Sequence, residues 1–447
     1  MDRKTFIKLS STTMAGTFIK PDPLFLQEKE LTNWAGNFTF STNNLFYPKS
    51  VTELQALVKK YPKVKALGTR HCFNRIADSK HNLISVKEMD EEILIDESAH
   101  TVTINGGMKY GKLAPFLDSK GFALHNLASL PHISVAGAIA TATHGSGEKN
   151  GNLSSAVSAI EIVTAAGDVI TLSKEKDGEK FFASVVGLGA LGIVTKVTLH
   201  ILPTYMVRQD VYEKLPLEEL KDHFHEIEES GYSVSLFTDW QKESINEVWI
   251  KTKIEEGKTY NFSNEFFGAK AATKNLHPIA ELSAENCTEQ MGVPGPWYER
   301  LPHFKMGFTP SSGKELQTEY FVPIENGVAA ILAIQKLGKL IGPHLFISEI
   351  RTIDADELWM SPCYKQQSMT IHFTWKQDWP AVQKLLPVIE KELVPFNAKP
   401  HWGKLFTMPY SRLQVLHKKM NDFRELAASM DPKGKFRNDF LNRNVFG

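Results

Sequence analysis

Two sets of residues in this chain have the types and spacing to do chemistry. The first is Ala66-Leu-Gly-Thr-Arg-His-Cys-Phe-Asn74. Residues 64–67 read as a short buried strand, and Gly68 lets the backbone turn so that successive main-chain N–H groups face one space. Such a nest suits a pyrophosphate, because backbone donors hold an anion without burying a lysine. His71 stands at its tip. A plain strand-to-loop turn carrying a histidine also fits the segment. The second set lies on two later strands. Residues two apart share a strand face, so Glu349 and Arg351 point one way within 346–353. Within 369–375, Thr370, His372 and Thr374 share one face while Ile371, Phe373 and Trp375 pack the other. Polar groups at alternate places in apolar strands describe a polar cavity or a salt-bridged solvent face. His401-Trp-Gly-Lys404, in a following loop, shifts the balance to a cavity.

Two glycine-rich passages accompany them. From Leu127 to Gly147 nearly every residue is small and few are charged. A packed helix ordinarily buries Leu, Phe or Met, so such smallness points to backbone approaching a flat or extended ligand. Gly137, Gly145 and Gly147, with Ser134, Thr141 and Thr143, would meet a dinucleotide by main chain and hydroxyl. A tightly packed Ala-rich helix with a Gly-rich loop is the plainer account. Gly187, Gly189 and Gly192 are likewise spaced for close backbone approach.

The elements that must position these groups are legible from periodicity. Residues 38–41 alternate as a first strand. Ser50 and Glu53 form a capping box for a helix to Lys60, with Leu54, Leu57 and Val58 on its apolar face. Strands follow near 82–85, 93–96 and 101–104, then a helix from Tyr110 to Lys120 ending at Gly121. Residues 158–164 and 169–172 read as a hairpin turning at Gly167-Asp168. No G-x-G-x-x-G opens a helix after a strand, which argues against a nicotinamide-binding Rossmann unit. Beyond Pro203 the elements lengthen: strands near 207–212, 233–237, 247–252 and 317–322, helices near 217–228, 328–337 and 379–392. Residues 257–310 lack periodicity and read as irregular surface or a lid. The fold class is α+β.

Composition sets the outer bounds. The 447 residues, 42% of them hydrophobic, suffice for two domains. Lys+Arg and Asp+Glu are both 51, which gives no attraction to nucleic acid or anionic lipid. Cys72, Cys287 and Cys363 are scattered without metal-ligand spacing, so neither a metal site nor a disulfide framework is expected. No apolar run approaches the ~20 residues of a membrane span. Arg3-Lys4-Thr5-Phe6-Ile7-Lys8, followed by the small, weakly apolar stretch from Ser10 to Ile19, resembles a twin-arginine export motif; an ordinary basic N-terminus is the alternative. The first implies export to the periplasm, the second a cytoplasmic protein.

Three glycine-rich nests in one α+β domain, followed by a sheet domain with a polar stripe, form a known pattern. The chain resembles the flavoproteins of the vanillyl-alcohol oxidase superfamily, whose FAD-binding domain is of the PCMH type. Within it the chain is most similar to the alditol (xylitol/sorbitol) oxidases, relatives of the sugar-1,4-lactone oxidases. The resemblance runs from Asn33-Trp-Ala-Gly-Asn37 to Lys435-Phe-Arg-Asn438. It is carried by Gly-Thr-Arg-His-Cys-Phe-Asn, Ser-Leu-Pro-His-Ile-Ser-Val-Ala-Gly, Thr-His-Gly-Ser-Gly, Gly-Ala-Leu-Gly-Ile-Val-Thr and His-Trp-Gly-Lys. It implies a leader over 1–30, a two-subdomain FAD-binding domain over 31–205, and a substrate or cap domain over 206–447. That second domain would hold a large, mainly antiparallel sheet flanked by helices, its last residues packing back on the first.

Carried over residue by residue, the resemblance makes FAD the cofactor and His71 its covalent attachment, through the flavin 8α-methyl. Gly68, Thr69 and Arg70 would wrap the pyrophosphate, with Cys72 beside them as a small packing residue. Ser134, Gly137, Thr141, His144, Gly145, Gly147 and Ile193 would line the FAD. Ala128 and Ser129 would flank the isoalloxazine, Ala128 leaving room for oxygen and Ser129 facing the substrate. The polyol pocket would comprise Ser129, Glu349, Arg351, His372, Thr374 and Lys404, with neutral His372 as base and Arg351 stabilising the alkoxide. The implied reaction converts the terminal primary alcohol of an acyclic polyol to the aldose, with O2 reduced to H2O2 by a monomer. The competing expectations are a sugar-1,4-lactone oxidase, a polyol dehydrogenase with another electron acceptor, and a non-catalytic carbohydrate or flavin binder.

Overall fold

The computed structural model describes residues 30–260, 263–307 and 314–447; the twin-arginine-like stretch lies outside them. In the first lobe, Ser50 caps helix Val51–Lys60 (α1) by accepting from Glu53 N at 3.2 Å, and the Glu53 carboxylate accepts from Lys49 N at 2.8 Å. Leu54 and Val58 bury the inner face. Three short parallel strands, Leu45–Phe46, Leu83–Ile84 and Lys65–Ala66, form a small sheet in that order. A second sheet is antiparallel: Ile93–Asp96 (β1), Thr101–Asn105 (β2), Val157–Val163 (β3), Val169–Ser173 (β4) and Ile193–His200 (β5), in the order β1-β2-β5-β3-β4. The expected hairpin is β3–β4. Residues 38–41 make no strand. Thr39 forms one bridge with Thr32, and Phe38 and Phe40 instead pack around Leu67 and Leu83. The small-residue stretch contains only a short helix, Val135–Ile139 (α2).

The second lobe is one ten-stranded sheet. Its main strands are Met206–Pro216 (β6), Ser233–Thr238 (β7), Ser244–Ile254 (β8), Glu315–Pro323 (β9), Leu345–Ile353 (β10), Ser368–Lys376 (β11) and Lys399–Pro400 (β12), paired antiparallel in the order β6-β8-β7-β10-β11-β9-β12. Helices Glu219–Glu228 (α3), Gly327–Gln335 (α4) and Trp379–Leu393 (α5) share a core with one face of this sheet. In α5 the buried positions Val382, Leu385, Leu386, Ile389 and Leu393 recur at helical spacing. They meet Ile371, Phe373 and Trp375 of β11, as the strand alternation requires. Each such side chain contributes about 1.5–3 kcal/mol relative to exposure. With that face spent on packing, the alternate residues Glu349, Arg351 and His372 are left on the other.

Of the segment expected as irregular surface or a lid, the described part, 257–260 and 263–307, contributes His277, Ile279, Leu282, His303 and Phe304 to a cavity wall. It adds the short strands Glu265–Phe266, Ala269–Ala271 and Gly295–Pro296 to the sheet and is otherwise irregular, yet Cys287, Trp297 and His303 are buried. The Gln290 side chain both accepts from Leu276 N (2.9 Å) and donates to Leu276 O (2.8 Å), and Thr288 Oγ1 donates to Pro302 O (2.8 Å). Between those short strands, side chain-to-backbone bonds stand in for a ladder, so no periodicity is needed to hold the chain in place.

The lobes are joined by main chain. Gly147 N donates to Thr352 O at 2.9 Å, and Asp354 N to Asn150 O at 2.9 Å. Beside this seam lies Glu228 of α3, whose Oε2 accepts from Thr352 Oγ1 at 3.0 Å and whose Oε1 has no partner. Burial, with Glu148 nearby, pushes this carboxyl up to about 8. The raised value means the folded state keeps a proton that the unfolded chain loses, so stability falls as pH rises from about 4.5 to about 8 and is level above that. Glu228→Gln removes this penalty. Its Tm should gain on that of the parent protein across that interval; a constant difference would show that Glu228 is ionised in the fold.

Candidate active site

The nest begins where Lys65–Ala66 leaves its sheet. Thr69 Oγ1 accepts from Ser134 N at 3.1 Å, pinning the loop to the start of α2, and contacts His71 Nδ1 at 3.0 Å. A Cβ on either Gly68 or Gly137 would come within 2.8 Å of Ser134 Oγ, so glycine at both positions leaves that hydroxyl its place between the two loops. The His71 ring stacks on Trp34, with centroids 5.3 Å apart. Burial and the surrounding cations hold the imidazole near 3, hence neutral. Among the described residues, His71 Nε2 and Ser134 Oγ are buried without partners, as expected where a bound group completes the bonding.

The sheet supplies the other half. In register across β9, β11 and β10, His372 stands between Glu319 and Glu349. Arg351 Nη2 donates to Glu319 Oε1 at 2.7 Å, its Nε lies 3.5 Å from Glu349 Oε1, and its Nη1 is 3.5 Å from Ser129 Oγ of the first lobe. Both carboxyls are held well below the usual range despite burial: Glu319 by His144 (Nε2 at 3.1 Å) and Arg351, Glu349 by Arg351 and His303. The Lys404 ammonium donates to Gln317 Oε1. A lysine has only donors, so the atom facing it is the amide oxygen; His372 Nε2, 3.1 Å from that same oxygen, therefore carries the ring proton. Burial lowers the ring to about 3, opposed by Glu319 and assisted by Lys404 and Arg351. Neutral His372 is thus left with its lone pair on Nδ1, which no group among the described residues holds.

The two halves are stitched together. Phe73 N donates to Gly403 O at 2.8 Å, and the Asn74 amide to Trp402 O (2.8 Å) and Lys404 O (2.6 Å). One continuous cavity of about 720 Å³ runs from the glycines of the nest to the polar face of the sheet. A donor-rich, small-residue cradle opening onto paired carboxylates, a guanidinium and a neutral imidazole suits a dinucleotide with its reactive end against a polyhydroxylated substrate.

The comparisons agree with that geometry. A family profile described as an FAD binding domain matches residues 43–173, and one described as D-arabinono-1,4-lactone oxidase matches residues 308–444. The chain is 41% identical over 414 residues to a Streptomyces sp. protein named alditol oxidase, covering 92% of this chain and 98% of that one. The chain belongs to the alditol oxidase family of FAD-binding proteins. More distant are L-gulono-1,4-lactone dehydrogenase of Mycobacterium tuberculosis (26% identity; 92% of this chain, 98% of that one) and L-gulonolactone oxidase of Mus musculus (24%; 92% and 97%).

In this alditol oxidase family member, all but two of the site residues named from the sequence line the one cavity. The exceptions are Gly145 and Gly147. A Cβ on Gly145 would strike Asn126 and Leu127 O, and one on Gly147, where φ is +131°, Asn150 and Tyr232 O. Their smallness serves close packing of chain on chain, with Gly147 at the seam between the lobes. Cys72 lines the cavity as a thiol pushed up to about 11 by burial, an unreactive packing group. Glu319, Gln317 and His303 were missed. The alternation Glu315-x-Gln317-x-Glu319 in an otherwise apolar strand is the same signal that exposed Glu349 and His372. His303 had no such signal. Among the described residues, no cluster of His, Cys, Asp or Glu is placed to hold a metal ion, and no helix is long and apolar enough to cross a membrane.

Proposed function

We propose that the protein oxidises the terminal primary alcohol of an acyclic polyol, such as xylitol or sorbitol, to the aldose, with O2 as acceptor and H2O2 as product. The observation that carries this is the single cavity joining the His71 nest to Glu349, Arg351, His372, Thr374 and Lys404. Similarity to a protein named alditol oxidase supports it. When bound, the flavin supplies the hydride acceptor and the route for electrons to O2. Gly68, Thr69, Arg70, Ser134 and Gly137 would hold it, with His71 as its covalent anchor. The stretch Arg3-Lys4-Thr5-Phe6-Ile7-Lys8 supports export of the folded protein by a twin-arginine route.

The protein side of the chemistry follows from the polar groups. An acyclic polyol is uncharged and rich in hydroxyls, so binding requires matched donors and acceptors. Glu349 accepts, Arg351 and Lys404 donate, and Ser129 and Thr374 do either. Arg351, aimed at Ser129, stabilises the oxygen of the reacting alcohol as its proton departs. His372 Nδ1 takes that proton. A weak base suffices, since the hydroxyl becomes steeply more acidic as the hydride leaves, and Glu319 and Glu349 flank the imidazolium that forms.

His372 titrates near 3, not 6.5, so it is an available base at every working pH. The pH profile of kcat/KM with a polyol should show no acid limb near 6.5; a limb there that vanished in His372→Ala would contradict this environment.

The function is tested by adding a panel of polyols and sugar-1,4-lactones to the purified holoprotein and following anaerobic flavin bleaching and aerobic oxygen uptake. Both signals with polyols support the reading. Bleaching without oxygen uptake indicates a dehydrogenase, preference for lactones a lactone oxidase, and no bleaching a binder.

A further inference from the structure

The irregular segment that walls the cavity carries a charge relay the mechanism above does not use. Glu247, Trp249 and Lys251 alternate along β8, and the register Glu247↔Phe237↔Glu349 puts them on the site's face of the sheet. Lys251 is 1% exposed. Its ammonium donates to Leu301 O, to Pro302 O at 3.3 Å, and to His303 Nδ1 at 3.1 Å. Burial lowers Lys251 to about 7; in its ammonium form, below that pH, it has three donors and no acceptor, so these partners use it completely and oblige His303 Nδ1 to accept. The ring proton then sits on His303 Nε2, which donates to Glu349 Oε1 at 2.7 Å. Trp249 and Phe237 meet the His303 ring edge-on at 5.3 and 5.5 Å, fixing its plane. Burial and the adjacent Lys251 hold His303 down at about 4, consistent with a neutral ring. Glu349 Oε1 is committed to His303 and faces Arg351, whereas among the described residues no group donates to Oε2.

We propose that Lys251, acting through His303, is a positioning residue that orients Glu349 so that its second oxygen is offered to an inner hydroxyl of the substrate. It would thereby set the preference for polyols over simple alcohols. This rests on the polyol reading above. A buried acceptor left unpaired is costly, so a substrate lacking the inner hydroxyls should be penalised only while the carboxylate is held in place.

The test uses the holoprotein and two readouts. The first is the ratio of kcat/KM for xylitol to that for a straight-chain diol of the same length without inner hydroxyls. In Lys251→Met this ratio should fall by about tenfold or more, mainly through KM for xylitol, with the diol little affected. His303→Gln, whose amide can accept from Lys251 and donate to Glu349, should retain most of the ratio. A parallel loss with both substrates would mean a merely structural lysine and overturn the proposal. The second readout is nitrogen NMR of the histidine-labelled parent protein, with His303 assigned by its absence from His303→Gln. Below pH 7 the Nε2–H tautomer is expected; an Nδ1–H or doubly protonated ring overturns the relay whether or not Lys251→Met folds. Absence of polyol oxidation by the parent protein would instead overturn the functional reading and the specificity claim with it, leaving the tautomer to be decided by NMR.

Discussion

Replacing Arg351 with methionine should lower the rate of flavin reduction by polyol by about 10²–10³-fold, the range for loss of one donor to a developing oxyanion. The effect has a second part that identifies its cause. Arg351 is the cation between Glu319 (2.7 Å) and Glu349 (3.5 Å), both buried. Its removal leaves two carboxylates flanking His372 with less compensation, a loss of about 3–5 kcal/mol in a typical buried pair. Arg351 is among the groups that lower His372, so the ring should titrate higher in the variant. While Glu319 and Glu349 stay ionised the ring rises, so an acid limb, absent in the parent, should enter the pH profile from below, because His372 becomes protonated and loses its function as base. Arg351→Lys keeps the charge but not the fork and should recover only part of the rate. Anaerobic stopped-flow reduction across pH is the measurement. Less than a tenfold loss, with an unchanged profile, would remove Arg351 from the chemistry.

The second large effect concerns His71. Denaturing the parent protein in acid or detergent should leave the yellow chromophore on the polypeptide, on the peptide containing His71. His71→Ala should release all of it. The neutral ring, held near 3, stacked on Trp34 and with Nε2 lacking a partner among the described residues, is placed as a nucleophile rather than an ion-pair partner. Non-covalent FAD binding should survive the substitution, because the Gly68–Gly137 approach and the Thr69–Ser134 bond do not involve the ring. Flavin released from the parent protein would demote His71 to a neighbour of the cofactor.

The chemistry-bearing strands were legible because a β-strand has a period of two. Glu349, Arg351, His372 and Thr374 are polar among apolar neighbours, and that alternation alone assigns them to one face. Glu319 and Gln317 obey the same rule and were available to it. The helices over the opposite face were legible for a similar reason, since Leu385, Leu386 and Ile389 repeat at helical spacing. Gly145 and Gly147 show where this logic stops. Small residues require something to come close, but nothing local says whether that is a cofactor or another stretch of chain.

By itself the sequence determined the element types, the α+β class, the polar stripe, the glycine-lined nest and, through its motifs, the family. Only the tertiary structure decided which residues meet. His372 lies between two carboxylates because β9 and β10 pair on either side of β11, although the chain runs β9-β10-β11. The Lys404 loop bonds to the His71 loop across more than three hundred residues. Lys251 reaches Glu349 through a segment with no periodicity at all. Periodicity reports how one element divides its own faces; strand register and long-range hydrogen bonds depend on which elements pack together, and no single stretch of sequence contains that information.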